Sequence, residues 1–170
     1  RLVVDDTLEG LGALARFARA RCGARIAAVT GSAGKTGTKE ALKLALGRSG
    51  STHASEASHN NHWGVPLSLA RMAAASDYGV FEVGMNHPGE IGPLARMIGP
   101  HVAIVTTVEA AHLEFFPGTI AIADAKAEIF EGLEPGGFAI LNSDNEHFDR
   151  LAASARARDA EVISFGTSPR

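Results

Sequence analysis

Short apolar runs alternate with longer stretches of helical periodicity along the chain. The run 25–30 (RIAAVT) has no polar alternation and reads as a buried strand, as do 78–84, 101–108 and 138–142, with a fifth at 161–166. Between them lie helical patterns over 38–47, 65–75, 89–98, 119–131 and 145–156. A further helix opens at Asp6-Thr7, carries Leu8, Leu11, Leu14 and Phe17 at helical spacing, and stops at Gly23. Short apolar strands separated by helices predict an α/β fold with a mainly parallel sheet flanked by helices. In such folds ligands bind beyond the carboxyl ends of the strands, so the residues following each strand belong together.

After the first strand comes TGSAGKTGTKE, 30–40. It looks like a phosphate-binding loop, but the common spacing G-x-x-x-x-G-K-[ST] would put a glycine where Val29 stands. The pattern here is Gly31-x-x-Gly34-Lys35-Thr36. Gly31, Ser32 and Gly34 let backbone N–H groups face a phosphate at a helix N-terminus. Lys35 supplies charge for the β- and γ-phosphates, and the Thr36 hydroxyl is placed to ligate Mg²⁺. The bland reading is a glycine-rich turn that binds nothing.

Glu82 ends the second expected strand and either holds the metal or serves as a salt-bridged carboxylate. Asn86 and His87 shape a turn before Pro88. His112 follows the third expected strand as a metal or phosphate contact or a hydrogen-bonded structural residue, and Glu114 is equally ambiguous. Ile122, Lys126 and Phe130 are spaced four apart on one helical face, flanked by Ile129. A lysine in that apolar stripe either snorkels to solvent or is paired, modified or functional. The stretch 58–69, SHNNHWGVPLSL, suits a ligand loop or a hydrogen-bonded turn.

The chain has 170 residues, enough for one domain with a small appendage. A net charge of −3, with no dense Lys/Arg block, argues against nucleic acid. The single Cys22 forms no internal disulfide, which fits a reducing cytoplasm. No apolar run is long enough to span a bilayer, and no membrane insertion is expected. The chain begins at Arg1 and reads as a piece of a longer protein.

The short-spaced loop resembles that of the Mur ligases. NNHWGVPLSL, FEVGMNHPGEI, HVAIVTTVEAAHLEFF, AKAEIFEGL and AILNSDN, in that order, are similar to the family's branch that adds D-Ala-D-Ala. The resemblance spans about residues 24–166. It implies a P-loop NTPase-like central ATP-binding domain at 24–170, preceded by a connector helix at 1–23 from an N-terminal domain. It also implies an ADP-forming ligase of peptidoglycan synthesis in the cytoplasm. ATP and Mg²⁺ would be its cofactors, and UDP-MurNAc-tripeptide and D-Ala-D-Ala its substrates. By the same resemblance Glu82 and His112 are metal-site residues, and Asn60 and Asn61 lie near the nucleotide. Lys126 is then the lysine that becomes carbamylated and ligates a second Mg²⁺. Gly37 departs from the more usual Thr or Ser and is assigned no phosphate contact. The adenine-clasping segment and the C-terminal domain, the latter with the D-Ala-D-Ala contacts, are expected elsewhere in the same chain, and this part alone is expected to be inactive. The alternatives are another Mur-type ligase (MurE- or folylpolyglutamate-synthetase-like), a non-catalytic nucleotide-binding module, or a generic P-loop NTPase or kinase.

Overall fold

The computed structural model describes residues 3–56, 59–111 and 114–167. Six strands form one sheet: β1 (Arg25–Thr30), β2 (Thr52–Ala54), β3 (Tyr78–Glu82), β4 (Val102–Val105), β5 (Phe138–Asn142) and β6 (Glu161–Phe165). Their order is β2-β3-β1-β4-β5-β6, and every pairing is parallel. The helices are α1 (Thr7–Ala20), α2 (Lys35–Leu46), α3 (Gly64–Arg71), α4 (Ile91–Ile98), α5 (Thr119–Ala127) and α6 (Phe148–Arg156). A 3-10 turn, Glu128–Gly132, continues α5. Among the described residues no helix is long and apolar enough to cross a membrane.

The expected α/β architecture is present, with one strand more than the five read from the sequence. The addition, β2, is the three-residue segment Thr-His-Ala on the sheet edge beside β3. It is too short and too polar to carry a period of its own. The helix expected at 38–47 begins at Lys35, directly at the glycine loop, and the helix expected over 119–131 changes to 3-10 geometry after Ala127.

Two apolar clusters flank the sheet. The larger joins Ile26, Ala28, Phe81, Val105 and Leu141 to buried residues of α1 and α3–α6. The smaller consists of Val29, Val80 and Ile104, with Leu42 and Leu46 of α2 against it. Helix α1 is capped by the Asp6 carboxylate, which accepts from the N–H groups of Leu8 at 2.7 Å and Glu9 at 2.8 Å. The stripe that marks this helix in the sequence is not the face it buries. Leu14 and Phe17 are 48% and 67% exposed, whereas Gly12, Ala15 and Ala18 are buried. Small side chains let α1 approach α3 and α4 closely.

Candidate functional site

β1 lies between β3 and β4, so the chain leaves all three strands at the same end of the sheet. In register, Val29 faces Glu82 and Thr30 faces Val105. Parallel pairing therefore brings the glycine loop, Glu82 and the segment after β4 together, although they are distant in sequence.

The loop turns on two glycines with positive φ, Gly31 at 150° and Gly34 at 82°. A Cβ at Gly31 would collide with the Thr106 hydroxyl, which donates to the backbone carbonyls of Thr30 and Ala33. Thr106 thus clamps the loop from β4. Ser32 completes the brace: its N–H donates to Thr107 O, and its hydroxyl donates to Glu109 O and accepts from Glu109 N. Gly34 caps α2 without any side-chain bond, which leaves a 12-residue helix presenting its first N–H groups at the loop.

The Lys35 ammonium folds back over this cradle and donates to Gly31 O at 2.8 Å. Burial lowers its pKa, and the nearby Glu82 carboxylate partly opposes that. Glu82 is only 1% exposed. Its two oxygens accept from the Thr36 hydroxyl at 2.8 Å and from the Asn60 amide at 2.9 Å. A buried carboxylate beside an uncapped helix N-terminus, bonded to a threonine hydroxyl, is a hard-oxygen donor set. It fits Mg²⁺, which takes one or two carboxylates and fills its shell with water and phosphate oxygens. The described residues contain no group of three or more His, Cys, Asp or Glu that could hold a metal ion.

Asn61 is built in differently from Asn60. Its side-chain oxygen accepts from the N–H groups of Trp63 at 3.1 Å and Gly64 at 2.9 Å, so it caps α3. His112 lies outside the described residues, and Glu114 is exposed. The turn after Glu82 is held by Glu90, which accepts from Asn86 N at 2.7 Å and contacts His87 Nδ1 at 3.1 Å.

Lys126 does not snorkel. It is 3% exposed, and Ile122, Ile129 and Phe130 are buried with it. Its pKa is lowered to about 8, first by desolvation and then by the Lys35 ammonium. The two lysines therefore feel one another across the site. Its amine is largely protonated at neutral pH but yields the neutral form far more readily than an exposed lysine.

Several residues of the site carry no signature in the sequence. Thr106 is one. Asn145 is another: its amide donates to Thr107 Oγ1 at 3.2 Å and to Val108 O at 2.9 Å, fastening the segment after β4 to that after β5. Lys39 and Ser55, both buried, are the others. Lys39 stands one helical turn after Lys35, a spacing that by itself does not tell a buried lysine from an exposed one.

The family model of the Mur ligase middle domain matches residues 29–170. A UDP-N-acetylmuramoyl-tripeptide–D-alanyl-D-alanine ligase of Escherichia coli is 43% identical over 145 residues, covering 85% of this chain and 32% of the relative. A crystal structure of MurF from Acinetobacter baumannii superposes with a TM-score of 0.91 at 36% identity, covering 97% of this chain and 36% of that one. MurF ligase from Thermotoga maritima, solved in complex with ADP, superposes with a TM-score of 0.87 at 28% identity, covering 99% and 38%. The chain thus spans about a third of the length of these relatives. The match to the middle-domain model over most of the chain, on a parallel sheet with the short glycine loop and a buried carboxylate beneath it, shows that the chain belongs to the Mur ligase middle-domain family.

Proposed function

We propose that the chain is the nucleotide- and metal-binding part of an ATP-dependent ligase that joins D-Ala-D-Ala to UDP-MurNAc-tripeptide. The observation that carries this reading is Glu82, a buried carboxylate held by Thr36 of the phosphate loop and by Asn60. The relatives' names, and the ADP bound to the Thermotoga maritima protein, support the choice of reaction and nucleotide.

In this reaction a carboxylate oxygen of the tripeptide attacks the γ-phosphorus of ATP, forming an acyl phosphate and releasing ADP. The amine of D-Ala-D-Ala then attacks the acyl carbon, and the tetrahedral adduct expels phosphate. The difficulty is that one anion must approach another. Lys35 offsets that charge at the β- and γ-phosphates, with Gly31, Ser32 and Gly34 forming the backbone cradle. Thr36 and Glu82 would hold Mg²⁺, which when bound neutralises phosphate charge. His112 joins that set in the same reading. Asn60 orients Glu82, and Asn61 fixes the start of α3 close by.

Lys126 is assigned as the carbamylated lysine. Its neutral amine adds to CO₂ with loss of a proton, replacing a desolvated cation by an anion that can ligate a second Mg²⁺. The lowered pKa supports this, because only the neutral amine is nucleophilic. The same reading divides the chain at Gly23, with 1–23 a connector from an N-terminal domain and 24–170 the middle domain. It leaves the D-Ala-D-Ala contacts and the adenine contacts to other parts of a full-length, cytoplasmic enzyme.

The test is an assay on the full-length protein with ATP, Mg²⁺, UDP-MurNAc-tripeptide and D-Ala-D-Ala, following phosphate and pentapeptide. Pentapeptide formation that requires the dipeptide is expected. Phosphate release without pentapeptide would overturn the substrate assignment and keep the ATP site. Lys126→Ala is expected to abolish turnover, with partial recovery on adding short carboxylates.

A further inference from the structure

We propose that Lys39 is a positioning residue for the metal side of this site: through Ser55 it ties α2 to the end of β3, where Glu82 meets Thr36. Lys39 has no exposed surface and is the only buried residue of α2. A buried cation is costly, and α2 is already held on the sheet by Leu42 and Leu46. An apolar side chain would pack α2 more cheaply, so the ammonium points to a positional task.

Its bonds show where that task lies. The Lys39 Nζ donates to Ser55 O at 2.9 Å and pairs with Glu40 at 2.9 Å. Ser55 is itself buried and keyed to β3 twice: its N–H donates to Val80 O at 3.0 Å, and its hydroxyl accepts from Glu82 N at 3.1 Å. Further along, Asn60 holds the Glu82 carboxylate through its amide and accepts from Gly84 N at 2.8 Å through its carbonyl. Ser55 and Asn60 thus each hold the end of β3, and Lys39 fastens Ser55 to the helix that bears Lys35 and Thr36. Thr36 and Lys39 are three residues apart on α2, so they share a face. One side of the Thr36–Glu82 bond is fixed by the glycine loop, and the other is fixed through Ser55 to Lys39.

This inference rests on the nucleotide and Mg²⁺ reading, and the experiment separates the two. ADP binding to the full-length protein is titrated with and without Mg²⁺ for the wild type, Lys39→Met and Ser55→Ala, alongside the thermal midpoint of each. The expected result is that both variants bind metal-free ADP as the wild type does. Both should need a roughly tenfold or higher Mg²⁺ concentration to reach the half-maximal effect, as for other residues that orient a metal ligand. A purely structural lysine would shift the midpoint and leave the Mg²⁺ requirement unchanged, which would overturn the proposal. Should Lys39→Met not fold, Lys39→Gln is titrated in its place, because a shorter neutral side chain loosens the bond to the Ser55 backbone carbonyl, whereas Ser55→Ala keeps that carbonyl and removes only the hydroxyl that receives Glu82 N. A wild type that binds ADP with no response to Mg²⁺ removes the metal reading and this inference with it. A wild type that binds no ADP at all removes the nucleotide reading first.

Discussion

The two faces of the sheet are built to different standards. One is sealed by a broad cluster in which Ile26, Phe81, Val105 and Leu141 meet side chains of α1 and α3–α6. The other is covered at its centre by α2, over a small cluster whose buried members are Val29, Val80 and Ile104. Toward β5 and β6 this second face stays open, with Phe138 and Ile163 37% and 43% exposed. By strand alternation Glu82 shares the face of Val80, so the buried carboxylate and Lys39 sit on the thin side. Most of the apolar packing lies on one face and the buried Glu82 and Lys39 on the other, while Lys126 brings an amine into the packed side.

The comparison is broken most directly by truncating one residue on each face. Phe81→Ala should destabilise by about 3–5 kcal/mol, the usual range for an aromatic lost from a packed core. Leu46→Ala, on the half-buried thin face, should cost about 1 kcal/mol, because less area leaves water and the site is free to relax. Denaturant unfolding of both variants checks this, and equal losses would mean the faces share the load.

Lys126 tests whether the thick core tolerates charge. Its folded pKa of about 8 lies below the ordinary 10.5, so the folded state holds the proton more weakly than the unfolded one. The penalty is full below pH 8, shrinks as pH rises toward 10.5, and is absent above. In carbonate-free buffer Lys126→Met should therefore stabilise by roughly 3 kcal/mol at pH 7. The gain should disappear in unfolding curves recorded above the unfolded-state pKa. A gain independent of pH would assign it to packing.

A smaller effect is expected at the glycine loop. Gly31→Ala should destabilise by about 1–3 kcal/mol and weaken ADP binding, since the methyl group meets Thr106 at a φ that side chains avoid. Calorimetric unfolding together with ADP titration reads both consequences; a loss confined to binding would point to a loop that shifts without strain. The smallest effect belongs to Gly37, inside α2, where a Cβ meets nothing within 4 Å. Gly37→Ala should stabilise by about 0.5–1 kcal/mol through helix propensity, visible as a small rise in melting temperature. No change there would show that the first turn of α2 is held by the loop and not by its own propensity.

Much of the fold was legible because its signals are local. The strands at 25–30 and 138–142 carry unbroken apolar runs, and the structure begins and ends them where the sequence does. β2 was not legible, since three residues on an edge owe their extended form to pairing with β3. The buried face of α1 was hidden for a related reason: its glycine and alanines matter through close approach, which depends on where α3 and α4 lie.

Residue chemistry and spacing alone singled out Gly31, Gly34, Lys35, Thr36, Glu82 and Lys126, because each sits at a strand end or within an apolar stripe that gives it away. That chemistry could not say which asparagine would hold Glu82 and which would cap a helix. Nor could it say that Thr106 clamps the loop, or that Lys39 reaches Ser55 across the gap between α2 and β2. Those assignments depend on distances between segments far apart in the chain. Parallel strand order sets such distances, and it is a product of packing the whole sheet. The sequence determined which groups were available for phosphate and metal chemistry, and the tertiary structure decided which of them meet.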